Sequence, residues 1–242
     1  MKKSVAVCIV TNDLYFESRY AIENLIQKTK HKFKIYIFDN GSTDNRIKDF
    51  SSALCEKKKG LFSFSETPIS LPKAINFLIK QVQEKYCIIF PVNYLVHNNW
   101  LEDLISSYEI IDKSGCFSIR HSSDKLHLVP ILHHSATSFE DKLNNVYLSE
   151  TNSVEGLLMF DKQLLDEKIG LMNENFKNTG HEQLEFAFRF SGQGFNNVYI
   201  RKQTAIRLNL QNEILFPKKT KNGFVELKEE VKNMVRTQNF KK

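Results

Sequence analysis

Between residues 4 and 113, short apolar runs alternate with amphipathic stretches, and most junctions carry a cluster of turn-forming residues. Residues 4–10 are continuous and rich in β-branched side chains, the pattern of a strand buried on both faces. Residues 17–30 then place Tyr20, Ala21, Leu25 and Ile26 at helical spacing among polar neighbours. A second strand at 34–38 runs into Asp39-Asn40-Gly41-Ser42, a turn-forming tetrad. Thr43 or Asp44 is suited to cap the helix that follows to about residue 56. The alternation continues with a strand at 61–64, a helix at 70–83 with Pro72 in its first turn, a strand at 86–90 and a helix at 99–113. Such alternation with short links demands βαβ units and a mostly parallel sheet flanked by helices.

Past Gly115 the pattern changes. Strands are expected at 116–120, 126–132, 154–160, 195–200 and 205–208, with a helix at 182–191 and a polar loop with a helical piece at 134–151. Ligands of open α/β sheets bind beyond the carboxyl ends of the strands. The turns after Val10, Phe38 and Phe90 are therefore where chemistry is expected.

Charge and length narrow the functional classes. The 242 residues suit one domain, read as 1–216, followed by a basic segment, 217–242. Of the net charge of +6, a surplus of five positive charges lies in that segment, so the body is nearly neutral. A nucleic-acid binder carries its basic stripe on the folded body, so nucleic acid is not an expected partner. Within the tail, Phe224, Leu227, Val231, Met234 and Val235 fall at helical spacing. Two readings of that helix stand: docking on the domain's own surface, or peripheral contact with an anionic membrane. Cys8, Cys55, Cys87 and Cys116 form no C-x-x-C pair and read as small buried hydrophobes in a reducing compartment. Lys2 and Lys3 precede an apolar run too short for a leader, and no run reaches the length of a membrane span, so a cytoplasmic protein is expected. Thr11-Asn12-Asp13-Leu14 contains no glycine, which excludes a P-loop or a dinucleotide fingerprint.

Two segments, taken together, carry a resemblance. Val7-Cys8-Ile9-Val10-Thr11-Asn12, a helix, and then Ile37-Phe38-Asp39-Asn40-Gly41-Ser42-Thr43-Asp44 resemble the opening of a family 2 glycosyltransferase. Further matches follow in order: Ala74-x-Asn76 on the third helix, Trp100-Leu101 after the fourth strand, Glu155-Gly156-Leu157-Leu158-Met159, and Gly180-His181-Glu182-Gln183 with the later Arg189. The likeness covers about residues 4–200. It implies a GT-A fold, a nucleotide-diphosphate-sugar donor and transfer, inverting in stereochemistry, to a hydroxyl of a glycan or lipid-linked acceptor, as in bacterial polysaccharide biosynthesis.

The same resemblance assigns roles. Asp39 would accept a hydrogen bond from the donor's base, with Thr11, Asn76 and Asn93 lining the nucleotide pocket. The family's Asp-x-Asp, which holds Mg2+ or Mn2+ on the diphosphate, falls on Pro91-Val92-Asn93, where no carboxylate stands. Lys73, Arg120 and Arg189, with Arg201, are the cations available to the diphosphate in its place. The family's base falls on Gln183, which cannot take a proton, so Glu182 and Glu185 are the candidate bases and His181 a candidate acceptor contact. His121, His127, His133 and His134 match no common ligand spacing and are read as a surface or acceptor loop. A non-catalytic binding protein on the same fold is the second reading, because both the metal and base positions are altered. A sugar nucleotidyltransferase is disfavoured by the absence of a glycine-rich loop after the first strand.

Overall fold

β1 (Val5–Thr11) pairs in parallel with β2 (Lys34–Asn40) on one side and β4 (Tyr86–Ile89) on the other. The computed structural model of the chain describes residues 3–121, 148–151, 154–176 and 182–207. β3 (Leu61–Ser65) extends the parallel half beyond β2. Past β4 the sheet becomes mixed: β8 (Leu158–Asp161) joins β4 and β6 (Ser114–His121) antiparallel, and β9 (Asn196–Arg207) runs parallel to β6. β5 (Tyr94–Leu95) and β7 (Leu148–Thr151) pair antiparallel with β9, giving the order β3-β2-β1-β4-β8-β6-β9-β5 with β7 off that path.

Strand periodicity sorts the core into two layers. Val5, Val7, Ile9, Ile35, Ile37, Tyr86 and Ile88 point to one face. There they meet α1 (Tyr15–Lys28), α2 (Asn45–Lys57) and α4 (Trp100–Ile110) through Ile22, Leu25, Cys55, Trp100 and Leu104. The intervening residues Ala6, Cys8, Tyr36, Phe38, Cys87 and Ile89 point to the other face, under α3 (Leu71–Gln81) and α6 (Glu182–Gly192). Successive strand residues face opposite ways, so a strand apolar at every position must be covered on both sides. All four cysteines are free and buried, as expected of small hydrophobes.

The expected break between 195–200 and 205–208 is a correction. β9 is continuous, and Arg201-Lys202-Gln203 is taken up in a register shift: Ile119 pairs with Ile200, whereas Arg120 pairs with Thr204. A bulge absorbs polar residues without ending a strand, so the polar triplet mimics a turn. After β8, a short helix α5 (Lys162–Leu164), capped by Asp161, runs on as a π-helical turn (Leu165–Ile169) to Gly170. Among the described residues, no helix is long and apolar enough to cross a membrane. The expected strand at 126–132 lies outside the described residues, as does most of the loop expected at 134–151.

Candidate functional site

The carboxyl end of β1 is a switch point: the chain winds from β1 through β2 to β3 on one side, then crosses to β4 on the other. Crevices form where neighbouring connections diverge in this way. Two features occupy that end of the sheet, a laced rim beside β2 and an apolar cleft beside β4.

The rim is held by polar side chains that bond one another. Thr11 Oγ1 donates to Asp39 Oδ1 at 3.0 Å, and the Ser42 hydroxyl also donates to Oδ1. The Ser42 backbone N–H donates to Asp39 Oδ2 at 3.1 Å. Asp39 is 0% exposed, so its carboxylate buckles the β1 and β2 turns together and neither oxygen reaches the surface. In the described residues the Asp39 carboxylate is met by the Thr11 and Ser42 hydroxyls and the Ser42 N–H. Asp13 Oδ1 crosses from the first turn to accept the backbone N–H groups of Thr43 (2.8 Å) and Asp44 (3.1 Å), just ahead of α2. Asn12 Nδ2 donates to the Asn40 carbonyl at 2.6 Å, while the Asn40 carboxamide pairs with both backbone groups of Ile69. Gly41 has φ +75°, and a Cβ there would lie 2.6 Å from Pro68 N. Only glycine suits both demands.

The cleft lies between β1 and β4. Its walls are Val10, Leu71, Ile75, Ile89, Phe90, Pro91 and Val92, and its polar groups are Asn93 and Gln183. Asn93 sits in the turn after β4, closed by Tyr94 N–H donating to Pro91 O at 3.1 Å. It is 6% exposed, and no described residue bonds its carboxamide. Gln183 Oε1 accepts the Gly156 N–H at 2.9 Å. Gly156 itself has φ +88°, with the Tyr94 hydroxyl 2.5 Å from where a Cβ would sit.

The other expected site residues lie elsewhere. Asn76 Oδ1 accepts from Met172 N (2.9 Å), and its Nδ2 donates to Met172 O (2.8 Å) and to Glu174 Oε1 (2.9 Å). Its carboxamide ties α3 to the 172–174 segment. Leu71 and Ile75 turn one face of α3 to the cleft, and Lys73, two residues from each, is exposed on the opposite side. Arg189 donates to the carbonyls of Ile169 (3.0 Å) and Leu171 (2.8 Å), and its Nε stands 3.0 Å from Glu185 Oε1. That separation is an ion pair without hydrogen-bond alignment, since Nε lacks a bonded acceptor. Arg189 therefore clamps the π-helical turn to α6. Burial raises the Glu185 carboxyl above the usual carboxylate range, partly offset by the Arg189 charge. Glu182 is 2% exposed, and neither it nor Glu185 lines the cleft. The residue of that helix which does is Gln183. The side chains of Arg120 and Arg201, with His181, His127, His133, His134 and the segment 217–242, lie outside what the structure describes.

The cleft does not fit a divalent cation. Mg2+ takes six oxygen ligands and Mn2+ also prefers oxygen-rich shells, with carboxylates supplying the charge. Among the described residues no carboxylate lines this cleft, and the Gln183 carboxamide oxygen is already bonded to Gly156. Among the described residues, no three of His, Cys, Asp and Glu gather to hold a metal.

Two features of the site escape sequence reasoning. Asp13 has a left-handed backbone, φ 46°, and reads only as a strand terminator. Gln183 reads as a missing base; its bond to Gly156, 27 residues away, is visible only in the fold.

No protein-family model matches the chain, and no curated protein matches it by sequence. Solved structures do match. GalNAc-T7, solved with UDP, GalNAc and Mn2+, aligns with a TM-score of 0.66 at 13% identity, over 85% of this chain and 44% of that one. The mannosyltransferase PcManGT of Pyrobaculum calidifontis, in complex with GDP-Man and Mn2+, aligns at 0.65 and 14%, over 89% and 57%. TarS 1-349 of S. aureus aligns at 0.64 and 14%, over 85% and 60%. The chain thus spans about half the length of these structures. At such identities the fold is what is shared, and the architecture described above is the GT-A fold of these glycosyltransferases.

Proposed function

We propose that the protein is a glycosyltransferase that receives a nucleotide-diphosphate sugar at the carboxyl ends of β1 and β4. It would transfer the sugar to a hydroxyl of a glycan or lipid-linked acceptor. The observation that carries this reading is the coincidence of the cleft with the switch point. It occurs in a fold shared with enzymes solved with UDP, GDP-Man and, for TarS, UDP-GlcNAc.

In this reading Asp39 acts through Thr11 and Ser42, holding the corner on which the nucleotide rests rather than touching it. The acceptor oxygen attacks the anomeric carbon, the bond to the diphosphate breaks, and the hydroxyl proton passes to a carboxylate. Glu182, adjacent to the cleft residue Gln183, is the carboxylate assigned to that step. The test is a panel of nucleotide sugars with release of nucleoside diphosphate as readout. Consumption of one donor is expected, with Glu182→Gln lowering kcat by about 100-fold or more at unchanged KM. A panel in which no donor is consumed or bound would sink the reading.

A further inference from the structure

Resting on the donor-site reading above, we infer that the cleft binds its nucleotide without a divalent cation. The carboxamide N–H groups of Gln183 and Asn93 meet the ligand's oxygens instead.

The argument starts from orientation. A carboxamide has one acceptor end and one donor end, and which is which follows from its partners. Gly156 N–H can only donate, so the Gln183 oxygen is held toward it at 2.9 Å. The end of Gln183 left for another partner is its NH2, the positive end of the dipole. That end repels a cation and suits a phosphoryl, carbonyl or hydroxyl oxygen. Asn93 adds an NH2 group of its own. It is nine-tenths buried, lines the same cleft and has no bond from any described residue. An amide that lines the cleft and that no described residue bonds is available to a ligand oxygen.

The walls strengthen the case. Seven apolar side chains surround these two amides, so the local dielectric is low and neutral donors there bind more strongly than they would in water. A bare divalent ion would have to shed its water into a wall whose described residues offer it no charge. The fold neighbours GalNAc-T7 and PcManGT were solved with Mn2+. This chain keeps their fold, and no described carboxylate lines its cleft.

Calorimetric titration of UDP, GDP, UDP-GlcNAc and GDP-mannose tests this on the full chain, in EDTA and in excess Mn2+. For the wild type, the nucleotide that binds should do so with Kd values within about threefold in the two conditions. Asn93→Asp and Gln183→Glu replace donors with charge at nearly constant volume. Each should weaken binding about tenfold or more in EDTA. Mn2+ should recover part of the loss, because the new carboxylate gives the ion a ligand. Unfolding midpoints without ligand establish that both variants fold. Wild-type binding that vanishes in EDTA and returns with Mn2+ overturns the inference and leaves the donor-site reading standing. Equal binding in EDTA by wild type and both variants also overturns it. Binding of none of the four probes in either condition overturns both.

Discussion

At Glu185 two forces oppose each other. Burial pushes the carboxyl up and the Arg189 guanidinium pulls it down, and burial prevails. A raised pKa means that the folded chain holds this proton more tightly than the unfolded chain does. The stabilisation is therefore complete below the ordinary glutamate pKa and is lost as pH rises through the raised value. Glu185→Gln keeps the shape and removes the titration. Its Tm should vary less with pH just above the ordinary glutamate range, and at neutral pH it should be no lower than wild type. Asn76 makes the opposite case. Asn76→Ala strands the Met172 N–H and carbonyl, and should cost about 1–3 kcal/mol in urea unfolding. Nucleotide affinity should stay unchanged, which separates a clamp from a ligand contact. Residues such as Asp39 and Asn76 were legible as places but not as bonds. Nothing local to Asp39 announces that Thr11, 28 positions away, will donate to it.

Elements were legible wherever a local rule governed them. The capping position was narrowed to Thr43 or Asp44, and the structure selects Asp44, whose side chain accepts from Arg46 N at 3.0 Å. The other end of α2 departs from the usual chemistry. Gly60 N–H bonds Cys55 O at 2.8 Å and Lys59 N–H bonds Glu56 O at 3.1 Å, the paired bonds of a Schellman ending. The left-handed position, φ 53°, is filled by Lys59, because glycine is required one residue later. A Cβ at residue 60 would stand 1.8 Å from Ile35 O. Lys59→Gly should therefore raise stability by about 0.5–1 kcal/mol, read as a higher urea midpoint. Asp13→Ala removes the acceptor for two N–H groups ahead of α2 and should cost about 1–2 kcal/mol in the same measurement. β9 was the hardest element to read, since a bulge and a turn both take polar residues and only the partner strand distinguishes them.

For the whole molecule, alternation over residues 4–113 was enough to expect the parallel half of the sheet. The mixed half was not legible, because antiparallel and parallel partners leave the same apolar run. The candidate site is expected at the switch point, and of its lining the sequence names Asn93 for the nucleotide pocket; the apolar walls are not legible, since they draw on β1, β4 and α3 at once. A matching nucleotide at a hundred times its Kd should stabilise the fold by about 2.7 kcal/mol, seen as a rise in Tm that grows with concentration.

The buckle at Asp39 also bears on how fast and how cheaply anything can settle beside it. The corner is fastened from within, so its disorder is surrendered once, when the chain first collapses. A visiting molecule then forfeits chiefly its own tumbling, and the host need not rearrange to greet it. Deuterium uptake at the amides of Ser42 and Thr43 should accordingly be slow in the bare protein and change little on saturation.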